Sequence, residues 1–358
     1  MKESPAPRQA ERRSSRSAGR PDEPERPGGG QLAQLISPAR RVALVGLAKN
    51  TGKTETLAAI LAEHARAGLT VGVTSIGRDG EERDVIDPRI AKPRIELRQG
   101  SLVASTGALL RASGLAHERL AKTAIRTPLG EVVIARLEQQ GAVEVAGPSA
   151  AADVRAVSEA MAGLGAQQVL IDGAVDRRAA SAPAVAEGLV MATGAVLGEQ
   201  LEAVVAATAE AVDLARLGVF AYGAETPVPV PRSLALGAGV QEIAGLLDAH
   251  PEARAFALEG ALSERFLEGV LESRRERAGR ELVLVAQDPT KVFLSRRGPR
   301  WYEHQGLSLR VREPVELRAI TINPVAPQSH SFESGLLREA IAAAVGDEIP
   351  VLDVREPA

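Results

Sequence analysis

The chain has no cysteine, which excludes disulfides, thiolate zinc sites, iron–sulfur clusters and thiol nucleophiles together. Only 2% of its 358 residues are aromatic, so Ala, Val and Leu must fill the interior. The five histidines, His64, His117, His250, His304 and His330, stand singly, so no histidine metal cluster is visible. A formal charge of −3 argues against a nucleic-acid binder that works by bulk electrostatics. No apolar run approaches the roughly 18 residues of a membrane span, and no signal-peptide apolar core is present. A cytoplasmic protein with no nucleic-acid or membrane partner is therefore expected.

What is present reads as an α/β chain of about two domains, or of one domain with elaborations. Residues 1–38 are rich in Arg, Pro, Ser and Gly and are expected to form a disordered tail. Residues 39–226 read as a nucleotide-binding core, and the alternating prolines of PVPVP at 227–231 as an extended, polyproline-like break. Residues 227–358 continue the α/β alternation, either in the same sheet or as a second subdomain. Alternation at 93–98, the turn Gln99-Gly100 and the apolar run 101–105 suggest a β-hairpin. Further short strands are expected at 121–125, 131–136 and 142–145, so that an inserted antiparallel patch covers the nucleotide edge.

The stretch RVALVGLAKNTGKTET, residues 41–56, carries the chemistry. Residues 42–45 form a continuous apolar run, the pattern of a strand covered on both faces. Gly46 ends it, and after the loop Leu47 to Gly52 the residues Leu57, Ile60, Leu61 and His64 recur on one helical face. Strand, loop and helix in this order place backbone N–H groups around Asn50 to Lys53 where they can cradle phosphate oxygens at a helix N-terminus, with Gly46, Lys49, Asn50, Thr51 and Gly52 as candidate nucleotide contacts. Lys53 would reach the β- and γ-phosphates, and the Thr54 hydroxyl would ligate Mg²⁺, with Thr56 on the same first turn. The first Gly is one position early for the common phosphate loop; the competing reading is a Gly-rich turn with a surface Lys. The spacing Gly-x5-Gly-Lys-Thr resembles the P-loop branch that includes dethiobiotin synthetase and the MinD-like ATPases, and implies a P-loop NTPase fold with a mostly parallel sheet.

Three other strand ends extend the site. The strand 69–75 runs into Asp79, a candidate for the Mg²⁺ shell or for orienting the attacking group, or else a solvated turn residue. The strand 168–173 ends in Asp172, where a carboxylate can hold Mg²⁺ directly or through water. Asp176, Arg177 and Arg178 follow it. The strand 318–322 ends in Asn323, whose amide can pair with an adenine edge, the competing reading being a turn-forming Asn before Pro324.

Taken together, GLAKNTGKT (46–54), TSIGRDGE (74–81), KPRI (92–95), IDGAVDR (171–177), ATGA (192–195) and TINPVAP (321–327) resemble the P-loop subunit of the reactivating factor for lysine 5,6-aminomutase. That resemblance implies an ATP-hydrolysing, chaperone-like subunit using ATP and Mg²⁺. It would work with a MutS-like partner subunit on an aminomutase dependent on adenosylcobalamin and pyridoxal phosphate, driving exchange of damaged cobalamin. Two other expectations remain open: an ATP-dependent small-molecule ligase or kinase related to dethiobiotin synthetase, and a nucleotide-gated adaptor that does not hydrolyse.

Overall fold

A computed structural model describes residues 32–76, 94–173, 181–221, 223, 226–274, 281–327 and 329–355. Helix α1 (Leu32–Ile36) leads into strand β1 (Arg41–Gly46), helix α2 (Lys53–Arg66) and strand β2 (Val71–Ser75). The chain continues through β3 (Ile95–Leu97), β4 (Leu102–Thr106), α3 (Gly107–Ala112), β5 (His117–Thr127), β6 (Gly130–Leu137) and β7 (Gly141–Val143). Helix α4 (Ala151–Gly163), strand β8 (Gln168–Gly173), strand β9 (Gly188–Gly194) and helix α5 (Leu201–Ala215) follow.

The next segment holds β10 (Val228–Val230), α6 (Arg232–Gly237), α7 (Val240–Ala249), β11 (Ala255–Leu258), β12 (Leu262–Ser263), α8 (Glu264–Arg274), β13 (Leu282–Ala286), β14 (Val292–Phe293), α9 (Pro299–His304) and β15 (Leu307–Val311). Strand β16 (Glu316–Asn323), helix α10 (Ser334–Val345) and strand β17 (Val351–Leu352) close the described chain.

The main sheet has nine strands in the order β17-β16-β9-β1-β8-β2-β4-β6-β5. Neighbours from β17 to β4 pair in parallel, while β6 and β5 run antiparallel at one edge. This is an α/β protein built on a large, mostly parallel mixed sheet. Side chains of β1 feed both faces: Val42 and Leu44 pack with α1 and α2, while Ala43 packs with α4, α5 and α10. Burial on both sides explains why β1 is apolar throughout and not alternating. Strand β1 sits between β8 and β9; the chain leaving β1 goes to β2 on the β8 side, while the chain leaving β8 goes to β9 on the other side of β1, so connections from these adjacent strands run in opposite directions. Such a switch point opens a crevice where ligands bind in parallel α/β sheets.

Three expectations change. The disorder expected through residue 38 does not extend over α1, whose Leu32 and Ile36 are fully buried; residues 1–31 lie outside the described residues. Glu63 of α2 accepts the Ala33 N–H at 2.6 Å, and Gln168 donates to the Ile36 and Ala39 carbonyls, so one polar residue 30 positions away and another about 130 away hold this short helix. The expected hairpin of 93–98 with 101–105 does not form: β3 pairs with β7, and β4 enters the main sheet between β2 and β6. The antiparallel hairpin is β5–β6, which lengthens the sheet. Finally, the Pro-rich break contains strand β10, which pairs in parallel with β11. It lies at a sheet edge, where Pro229 can be accommodated because one side of the strand needs no ladder donor.

The chain beyond residue 227 divides. Strands β10, β11, β13 and β15 form their own four-stranded parallel sheet in sequential order, around a core of Phe256, Phe266, Leu284, Tyr302 and Leu309. Strands β16 and β17 then rejoin the main sheet beside β9. Among the described residues no helix is long and apolar enough to cross a membrane.

Candidate functional site

The loop from Leu47 to Gly52 rises from the carboxyl end of β1 and re-enters the fold as α2. Gly46 permits the tight return, since a Cβ there would lie 2.6 Å from Thr51 Oγ1. Asn50 (φ 65°) and Gly52 (φ 88°) both occupy the left-handed region, Gly52 serving as N-cap of α2 with no side-chain cap bond. Two left-handed residues around Thr51 turn successive peptide groups into a concave, N–H-lined mouth, and the uncapped helix start adds its dipole. Buried Thr51 donates to the Ala48 carbonyl at 3.0 Å, fixing the loop from within, while Lys49 and Asn50 are exposed at its crown.

Lys53 and Asp172 meet at the mouth, the ammonium donating to Asp172 Oδ1, with both side chains about three-quarters buried. Parallel pairing of β8 with β1 sets Leu44 opposite Asp172 and so brings the carboxylate beside the loop. Thr54 is exposed at the second position of α2. Its hydroxyl and the Asp172 carboxylate are hard oxygen donors of the kind Mg²⁺ takes. Among the described residues no group of three or more His, Asp or Glu gathers as a ready-made metal cage. Asp79, Asp176, Arg177 and Arg178 lie outside the described residues.

Two of the expected nucleotide contacts, Thr56 and Asn323, also make hydrogen bonds within the fold. Thr56 is buried; its hydroxyl donates to the Gly52 carbonyl at 3.0 Å and lies 2.7 Å from Thr321 Oγ1, tying the first turn of α2 to β16. Asn323, level with Gly194 at the end of β16, donates from Nδ2 to the Asn50 carbonyl at 2.9 Å, and its Oδ1 accepts the Val325 N–H at 3.2 Å. Its amide thus braces the loop, and one Nδ2 hydrogen and one Oδ1 lone pair remain beyond these two bonds. Gly52 packs directly on it, a Cβ there falling 3.1 Å from Asn323 Cβ. The structure therefore gathers Gly46, Lys49, Asn50, Thr51, Gly52, Lys53, Thr54, Asp172 and Asn323 at one sheet end. Thr321 was missed, although its spacing two residues before Asn323 puts it on the same strand.

No protein-family model, curated protein or solved structure significantly matches the chain.

A second polar centre, invisible in the sequence, stands at the start of α8. Glu264 is buried and accepts the backbone N–H groups of Ser295, Arg296 and Arg297 at 3.0–3.2 Å, the Ser295 hydroxyl, and the Tyr302 hydroxyl at 3.2 Å. Burial pushes its carboxyl upward, but the donors from Ser295, Arg296 and Tyr302 outweigh burial and hold the pKa at about 2. The Tyr302 hydroxyl is pushed well above its ordinary value by burial and by the Glu264 charge. Repeated Glu and Arg residues in this region look like surface charge in the sequence; only the fold singles out Glu264.

Proposed function

We propose that the chain binds ATP with Mg²⁺ at the loop of residues 46–54 and hydrolyses it as the energy-supplying subunit of a reactivase for an adenosylcobalamin- and pyridoxal phosphate-dependent aminomutase such as lysine 5,6-aminomutase. The carrying observation is the left-handed loop with an uncapped helix start, Lys53 and Asp172 converging at its mouth. Lys53 neutralises Asp172 at the mouth of the loop. An arriving γ-phosphate competes for the ammonium and frees the carboxylate to act on the metal's coordination sphere with the Thr54 hydroxyl. Mg²⁺ supplies charge neutralisation between phosphate oxygens when bound. The chain's own work is positioning: loop N–H groups orient the phosphates, Lys53 offsets developing negative charge, and Asn323 keeps the Asn50–Gly52 turn in shape.

What the hydrolysis drives rests on the motif resemblance at 46–54, 74–81, 171–177 and 321–327, with a MutS-like subunit and the mutase as partners. Pull-down with the tagged chain, with and without ATP and Mg²⁺, tests it: retention of mutase subunits together with ATP-dependent recovery of inactivated mutase is expected, and recovery undiminished by Lys53→Ala would contradict it.

One observation favours a second reading, an ATP-dependent ligase or kinase acting on a small molecule. A cavity of about 390 Å³ opens where β1 meets the loop, lined by Gly46 and Leu47. ATP turnover that rises with a metabolite and ignores protein partners would select this reading.

A further inference from the structure

The cavity beside the loop is bounded on one side by the main sheet and α5, and on the other by the segment 294–299 of the second sheet's region. Leu189, Met191, Ala211 and Leu214 give it an apolar wall. Two charged residues of opposite sign also line it, Glu210 from α5 and Arg297 from the facing segment. They form no ion pair with each other, and no carboxylate among the described residues pairs with Arg297. Its neighbours differ: Arg296 pairs with Glu268, and Arg300 pairs with Asp213 at 2.6 Å. The Arg297 guanidinium instead lies 5.3 Å from the Trp301 ring centroid, over its face. The backbone beneath Arg297 is fixed by Glu264, which takes three successive N–H groups of the segment.

We propose that this cavity binds a small zwitterion with an aliphatic body, its carboxylate on Arg297 and its ammonium on Glu210. The volume lies within the range of small-molecule sites, which are mostly apolar with a few placed polar groups. A plain carboxylate would gain Arg297 but meet Glu210; a plain amine would meet the converse. Both residues are exposed, and only a ligand bearing both charges can replace the hydration of both with ion contacts. The apolar wall selects an aliphatic chain, and the braced backbone spares the cost of ordering the segment that carries Arg297. This inference concerns binding alone and does not require that the loop take a nucleotide.

Calorimetric titration of the full chain without nucleotide tests it, with norleucine and 6-aminohexanoate as zwitterions and hexanoate and hexylamine as single-charge controls. Saturable binding of at least one zwitterion is expected, about tenfold or more tighter than either control, the worth of one charge-assisted contact. Arg297→Met should cut zwitterion affinity by a similar factor, and Glu210→Gln should erase the advantage over hexanoate, both variants melting as the parent does. Absence of binding by both zwitterions, tighter binding of hexanoate or hexylamine, or affinities untouched by both substitutions would overturn the proposal. If a variant melts early, a competition experiment on the parent, in which hexanoate and hexylamine each displace the zwitterion, serves instead; failure to displace would count against the shared site.

Discussion

At the scale of single residues, the loop's shape depends on one amide and one glycine outside the motif's charged chemistry. Removing the 2.9 Å bond from Asn323 to the Asn50 carbonyl forfeits a neutral hydrogen bond worth about 0.5–1.5 kcal/mol, so Asn323→Ala should weaken nucleotide binding roughly three- to tenfold in a fluorescent-ATP titration. Gly52→Ala carries a larger penalty, since a Cβ meets both the left-handed backbone and Asn323; a loss of about 1–3 kcal/mol in urea unfolding is expected. Glu264→Gln should cost roughly 3 kcal/mol, because the donors around it lose their charged acceptor. Its folded pKa of about 2 lies below the ordinary 4.5, so its contribution is complete above pH 4.5 and is lost as pH falls toward 2. Parent stability should therefore drop over that window by more than the variant's does. Lys53 and the loop glycines were legible in sequence as a local spacing, and Asp172, 119 positions from Lys53, as the end of an apolar strand. Asn323 was legible as a strand-end residue but not as a brace, since its partner lies 273 positions away in sequence. Glu264 gave no signal, its donors arriving from a segment about 30 residues on.

Among the elements, those whose apolar pattern reflects burial on two faces were the easiest to place. Strands β1, β8 and β9 and helices α2, α4 and α10 follow their hydrophobic runs closely because nothing but burial dictates them. Partner choice was harder. The pattern of residues 95–105 is compatible with a hairpin, yet β3 goes to β7 and β4 to β2 and β6, because the gain from completing a buried sheet exceeds that of a local turn. Helix α1 is a five-residue element that would not persist alone, helix nucleation being costly. Its buried Ile36 and the polar clamp from Glu63 and Gln168 hold it on α2. Ile36→Ala should cost about 2–4 kcal/mol in denaturant unfolding and expose the α1 amides to hydrogen exchange before those of β1.

For the whole molecule, the division between a nine-stranded main sheet and a four-stranded second sheet was not readable, because both segments carry the same β/α alternation. Only the return of β16 to β9 reveals that the second sheet interrupts the first. That return delivers Asn323 and Thr321 to the loop and the first turn of α2 from beyond the intervening sheet. Ligand at the loop should accordingly stabilise the assembled chain, by about 2.7 kcal/mol at a hundredfold excess of ATP over its Kd, seen as a rise in melting temperature with ATP and Mg²⁺ that Asn323→Ala diminishes. The central claim is that residues 46–54 form a nucleotide site, and equilibrium dialysis of the full chain against labelled ATP with Mg²⁺ tests it most directly. About one ATP bound per chain is expected, with at least tenfold weaker binding by a Lys53→Ala variant of unchanged melting behaviour; no saturable binding by the parent, or equal binding by the variant, would contradict it.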